Sequence, residues 1–189
     1  RRLIAHGSSF DNNEKINIVR RALLGLDAVG VDRVLYMPDL YAIVERAADP
    51  IKVRLRLESL PMPVLGEAGD STEAAQRMRD LGAGALITLG GDGTNRVVAE
   101  GCGDVPLVPI STGTNNVFPT MVEGTLAGLA AGLVATGISQ NQPDAPDVVR
   151  RYPRLDVLVD GEERDHALID VVTSRHAWVG SRALWNLHA

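Results

Sequence analysis

The residues best placed to do chemistry stand together in ALITLGGDGTNRVVAEG: Gly90, Gly91, Asp92, Gly93 and Thr94. Glycines at these positions let a backbone turn sharply and approach an anion closely, because no Cβ stands in the way. A helix starting at such a turn adds unpaired N–H groups and the positive end of its dipole, so the segment reads as a phosphate cradle. It is not the Walker A pattern, since no Gly-Lys-Ser/Thr closes it, and the spacing is not that of GxGxxG. Asp92 then needs a reason to be there, because a carboxylate repels phosphate. It could take a proton from a hydroxyl that attacks a phosphoryl group, or touch a Mg²⁺ that cancels the repulsion. A plainer reading is a Gly-Asp-Gly turn whose aspartate caps the next helix. The five-residue motif behind an apolar strand favours chemistry over the cap.

Such a loop works only if elements hold it. ALITL reads as a fully buried strand and NRVVAEG as the helix after the loop, followed by a strand over residues 105–111 and the loop GTNNVFP. Upstream, apolar residues recur at helical spacing over residues 14–26, DRVLYMPD reads as a short strand ending at Pro38, and YAIVERAA as a helix. Residues 51–62 alternate apolar and charged side chains, as a strand with one wet face does, although Leu and Glu leave a helix open. Asp70 or Ser71 is the expected cap of a helix that stops at Gly82. MVEGTLAGLAAGLVATG is a helix so rich in small residues that it must pack closely on a neighbour. Alternating strands and helices through residue 137 predict an α/β domain with a doubly wound parallel sheet. In that architecture both glycine loops fall at the carboxyl ends of strands, where ligands bind.

Composition changes at SQNQPDAPD, a polar, proline-containing linker, and then RLDVLVDGEERDHALIDVVTS gives two β-rich runs around the turn pair Asp160-Gly161. The expected division is an α/β nucleotide-binding domain over residues 1–138, a linker over 139–149, and the start of a β-rich domain over 150–189. Opening on Arg1-Arg2, the sequence reads as a chain already in progress, and its close at VGSRALWNLHA reads as falling inside an element or beside further chain.

With 189 residues, 45% of them hydrophobic, the chain can bury a core. A net charge of −5 excludes a broad nucleic-acid surface but not a local anion site. The single cysteine, Cys102, excludes an internal disulfide framework, fits a reducing compartment and points to the cytoplasm. No apolar run is long enough for a membrane span. His6, His166, His176 and His188 are scattered without metal-ligand spacing, so each reads as a surface or satisfied core residue, and no metal site is expected from side-chain clusters. Ser111, Ser174 and Ser181 lack a nucleophile-elbow setting, which argues against a hydrolase. Arg150, Arg151 and Arg154 read as an exposed basic linker, Trp178 and Trp185 as residues buried in the β-rich domain or an oligomer contact, and Cys102 as a small core residue.

On the loop Gly90-Gly91-Asp92-Gly93-Thr94 and the second loop in PISTGTNNVFP, the sequence resembles the NAD kinase and diacylglycerol kinase superfamily, and is most similar to its acetoin catabolism X protein group. The resemblance implies an active site between an α/β and a β-rich domain, transferring phosphoryl from ATP with Mg²⁺ to a hydroxyl, with NAD as acceptor. Carried over, Asp92 is the base or orienter of the acceptor hydroxyl, and Gly90, Gly91, Gly93 and Thr94 hold phosphates. Asn95 and the loop Ser111, Thr112, Gly113, Thr114, Asn115 and Asn116 line the same pocket. Asp170 falls on an acidic position of the second domain, with Ile169 where the superfamily has asparagine, and an apolar side chain cannot supply that hydrogen bonding. The superfamily's opening strand with Asn-Pro-x-x-Gly has no counterpart here, which makes RRLIAHG the helix that follows it. Homo-oligomers of a small-molecule enzyme are what the resemblance implies. A nucleotide-sensing regulator of acetoin catabolism and a lipid or sugar kinase are the competing readings.

Overall fold

The computed structural model describes residues 3–4, 10–137, 148–173, 175 and 183–184. Leu3–Ile4 forms β1 and pairs in parallel with the last strand, β8, Ala183–Leu184. A helix was expected at RRLIAHG, and Leu3 and Ile4 are strand instead. The partner lies at the far end of the chain, and such pairing overrides local propensity.

Helix α1, Asn12–Ala28, starts two residues before the apolar periodicity because Asp11 and Glu14 close a capping box. Strand β2, Arg33–Tyr36, leads to α2, Ile43–Ala48, and then to β3, Arg56–Ser59, which pairs in parallel with β2. The alternation over residues 51–60 survives as alternating burial, but only four residues are strand. One reason is that the Arg54 N–H is taken by the Asp27 carboxylate rather than by a ladder. Helix α3, Ala68–Asp80, begins before the expected cap. Asp70 sits inside its first turn and accepts the N–H groups of Leu65 and Gly66, so it closes the preceding loop instead of capping. Gly82, at φ +80°, ends the helix as expected.

Strand β4, Leu86–Gly90, runs into α4, Asp92–Gly101, and β5, Leu107–Ser111, pairs in parallel with β4 over its whole length. Helix α5, Gly124–Ala135, lies against α1. Its small residues are what permit this: a Cβ on Gly128 would stand 2.1 Å from the Ala22 carbonyl oxygen, and one on Gly124 2.5 Å from that of Ile18. Ile87 and Val108 face α1 and α5 with Ile16, Leu23 and Ala131, and Leu89 with Ile18 and Ala127, whereas Leu86 and Leu107 face α3 and α4 with Ala75 and Val98. The architecture is therefore α/β, with parallel strands covered by helices on both faces. A single doubly wound sheet was expected, but β2–β3 and β4–β5 are separate two-stranded pairs. A cavity of about 150 Å³ runs along β4 from Leu86 to Leu89, reaching Met37 just past β2.

Beyond the α/β part, β6, Leu155–Val159, and β7, Glu162–Ala167, form an antiparallel hairpin. Asp160 and Gly161 both have positive φ, the geometry expected of the turn pair. Most of the expected linker, with Trp178, Trp185, Ser174, Ser181, His6, His176 and His188, lies outside the described residues.

Candidate functional site

The glycine motif is the first turn of α4 rather than a loop before it. Gly91 is the N-cap residue, and the backbone and side-chain amides of Asn95 both donate to its carbonyl, at 3.2 and 2.9 Å. Asn95 is fully buried, and its Oδ1 accepts the Thr88 hydroxyl at 2.6 Å. Both ends of the amide are thus spent on fixing the loop to β4. The glycines divide by cause. A Cβ on Gly90 would meet Thr94 Oγ1 at 2.4 Å and Thr94 Cβ at 2.5 Å, so the protein itself requires that glycine, whereas one on Gly91 would press on the end of the Asn116 side chain, with Oδ1 at 2.6 Å. Gly93 is exposed and nothing lies within 4 Å of where its Cβ would be. Among the described residues no protein atom explains it.

Asp92 is turned toward the second loop. Its Oδ1 accepts the N–H groups of Val117 at 3.0 Å and Phe118 at 2.8 Å, and Oδ2 lies 3.1 Å from the Val117 nitrogen. The carboxylate therefore clamps two loops that leave neighbouring strands. Capping of its own helix, the plain alternative, is not what its side chain does. The second loop is knitted from within: Ser111 Oγ donates to the Gly113 carbonyl at 2.8 Å, and Asn116 Nδ2 donates to Ser111 Oγ at 2.8 Å. The Thr112 N–H reaches the Gly90 carbonyl at 3.4 Å, while its own carbonyl takes the Phe10 N–H at 2.7 Å. Ser111 and Thr112 are buried, and Thr114 and Asn115 are exposed at the tip. Register explains why the loops meet, since Gly90 pairs with Ser111 in the β4–β5 ladder.

The C-terminal segment touches both halves of this arrangement. Tyr152 packs edge-on against Phe118, with ring centroids 5.9 Å apart at 75°. Arg96, one helical turn beyond Asp92, pairs with Asp165 and lies 3.4 Å from the His166 carbonyl. His166 Nε2 stands 2.9 Å from the Arg96 carbonyl oxygen, so the proton is on Nε2 and donates. Buried and hydrogen-bonded, His166 is the satisfied core histidine that the sequence suggests. The Asp165 carboxyl is held below the usual aspartate range, first by the His166 N–H and then by the Arg96 guanidinium. A polar cleft of about 450 Å³ lies here, lined by Arg96, Glu100, Glu163, Arg164, Asp165 and His166.

Asp170 is exposed past the end of β7, and Ile169 is half-buried beside it. Arg151 and Arg154 pair with Asp104 and with Asp156 and Glu163. Burial pushes the Cys102 thiol up, which suits a core residue and not a nucleophile. Among the described residues no group of three or more His, Cys, Asp or Glu side chains could hold a metal ion. Sequence reasoning missed the Val117 and Phe118 amides and the contacts of Arg96 and Asp165. Backbone donors carry no side-chain signal, and Arg96 reads in the sequence as one polar residue of an amphipathic helix.

The family model for the ATP-NAD kinase N-terminal domain matches residues 18–138, and that for the acetoin catabolism protein X C-terminal domain matches residues 153–189. The acetoin catabolism protein X of Cupriavidus necator is 41% identical over 196 aligned residues, covering 98% of this chain and 54% of that protein. The chain thus spans about half the length of the curated relative it matches. No solved structure matches.

Proposed function

This chain belongs to the ATP-NAD kinase N-terminal domain family, and on that premise we propose that it forms the phosphate-binding half of an ATP-dependent phosphotransferase acting on a small-molecule hydroxyl, with NAD as acceptor. The observation that carries the reading is Gly93: exposed at the start of α4, beside Asp92, with open space where a side chain would stand. A glycine that no described protein atom requires leaves the backbone of this first turn open to a ligand's close approach. Gly90, Gly91 and Thr94 set the turn, Asn95 fixes it, and the Ser111 to Asn116 loop supplies the facing wall, with Thr114 and Asn115 exposed at its tip.

In this reading Asp92 orients the attacking hydroxyl and accepts its proton, while the N–H groups of the α4 first turn bind phosphate oxygens. The site fits a Mg²⁺ that arrives with ATP, since Asp92 offers one carboxylate and such ions take most of their ligands from phosphate and water. When bound, the ion neutralises phosphate charge. Residues 1–138 would hold the nucleotide, and residues 150–189 would open the second domain, with Asp170 on its acceptor side.

A regulatory reading is favoured by one specific feature. Both oxygens of Asp92 already engage backbone amides, as they would in a nucleotide-sensing protein of acetoin catabolism that kept the fold without the chemistry. Turnover of the full-length protein with ATP, Mg²⁺ and NAD, read as NADP by a coupled dehydrogenase, separates the two. Wild-type turnover that Asp92→Asn abolishes, with ATP affinity kept, supports the enzyme. No turnover with any hydroxyl acceptor, and nucleotide binding unchanged in the variant, supports the sensor.

A further inference from the structure

The Asp92 clamp has two sides, the start of α4 and the backbone at Val117 and Phe118, and the C-terminal segment contacts α4 at Arg96, one turn beyond Asp92, and the loop at Phe118. On the loop side Tyr152 stacks its ring edge on Phe118, the residue whose N–H makes the 2.8 Å bond to Asp92. On the helix side the bonds run in both directions. The Arg96 side chain reaches Asp165 and the His166 carbonyl, while His166 donates to the Arg96 carbonyl.

These contacts differ in weight. The Arg96 and Asp165 side chains are 38% and 60% exposed, and a solvated pair of this kind contributes little. His166 is only 7% exposed on a strand whose preceding four residues are all exposed, so it is the residue that docks the hairpin. Its bond goes to a helix carbonyl, which has a second lone pair to share beside the helix ladder.

We propose that the segment from Tyr152 to His166 is a two-point strap that positions Asp92, with His166 and Tyr152 as positioning residues acting through Arg96 and Phe118. The strap fixes the spacing between α4 and the second loop, and so decides whether the Asp92 carboxylate stays bonded to Val117 and Phe118 or is released toward a ligand. The inference rests on the functional reading of Asp92, but its test does not need turnover.

Amide hydrogen exchange at Val117 is measured without nucleotide in the full-length protein and in His166→Leu, His166→Gln and Tyr152→Leu. Val117 touches none of the substituted side chains in the bonds described above, so its exchange reports the clamp. Exchange about tenfold faster is expected in His166→Leu and Tyr152→Leu, as for local opening, with His166→Gln near wild type because its amide still donates. Faster exchange confined to residues 162–167, with Val117 unchanged, overturns the strap. If His166→Leu does not fold, Tyr152→Leu decides alone, since that residue is 69% exposed and its loss leaves the core intact. Unchanged Val117 exchange in it overturns the proposal. Should the protein prove to have no phosphotransferase activity, the exchange result stands independently.

Discussion

At the scale of single residues, the motif divides between residues that build the turn and residues left free to act. Asn95 builds. Replacing it with Ala strands the Thr88 hydroxyl and removes one of two donors from the Gly91 carbonyl in a fully buried place. Chemical denaturation should show a loss of about 2–3 kcal/mol, the cost of unpaired buried polar groups with a small cavity added. Asp92 stands on the border, because its carboxylate is both the clamp and the proposed reacting group. Asp92→Asn keeps an acceptor for Val117 and Phe118 and removes only the charge. Its melting temperature should therefore stay within a few degrees of wild type, while turnover, if present, falls by about 10²-fold or more.

Among the elements, α4 and α5 use glycine for opposite purposes. In α5 the glycines let two helix backbones touch, and Gly128→Ala forces a Cβ to 2.1 Å from the Ala22 carbonyl oxygen. Overpacking of that kind costs about 1–3 kcal/mol, which a urea titration would register. In α4 Gly93→Ala meets no protein atom and replaces a poor helix former in a first turn. Stability should hold or rise by about 0.5 kcal/mol, whereas ATP affinity measured by calorimetry should drop by about tenfold or more if phosphate approaches this backbone. Equal ATP affinity in wild type and variant would remove the observation on which the proposed function rests.

Over the whole molecule, the hairpin is tied to the α/β part by a charged contact that titrates. Asp165 has its carboxyl lowered by the His166 N–H and by Arg96, so it titrates below the ordinary aspartate range. A depressed carboxyl contributes to docking above the unfolded value and loses that contribution as pH falls through the folded one. The contribution of Asp165 to docking should therefore be lost only as pH falls below about 4. The carboxyl carbon shift of Asp165, followed by NMR, should titrate below the ordinary aspartate range. In Arg96→Ala its midpoint should rise only part of the way, because the His166 N–H remains.

The sequence by itself determined the α/β class, the positions of most strands and helices, the hairpin turn at Asp160-Gly161 and the place of the glycine motif between β4 and α4, though not that its Asp92-Gly93-Thr94 already belong to the helix. Each is written in local periodicity or in residue types with special backbone freedom. It also contained the Asp11 to Glu14 capping box, legible in principle as an acidic pair three residues apart, although apolar spacing alone starts the helix at 14. Tertiary structure alone decided the rest. That Asp70 closes a loop, that Asp92 bonds the amides of Val117 and Phe118, and that His166 docks on Arg96 all depend on residues 4 to 70 positions apart. The partners at the site are mostly backbone N–H and C=O groups, which every residue carries alike, so only the register of β4 against β5 selects which of them meet.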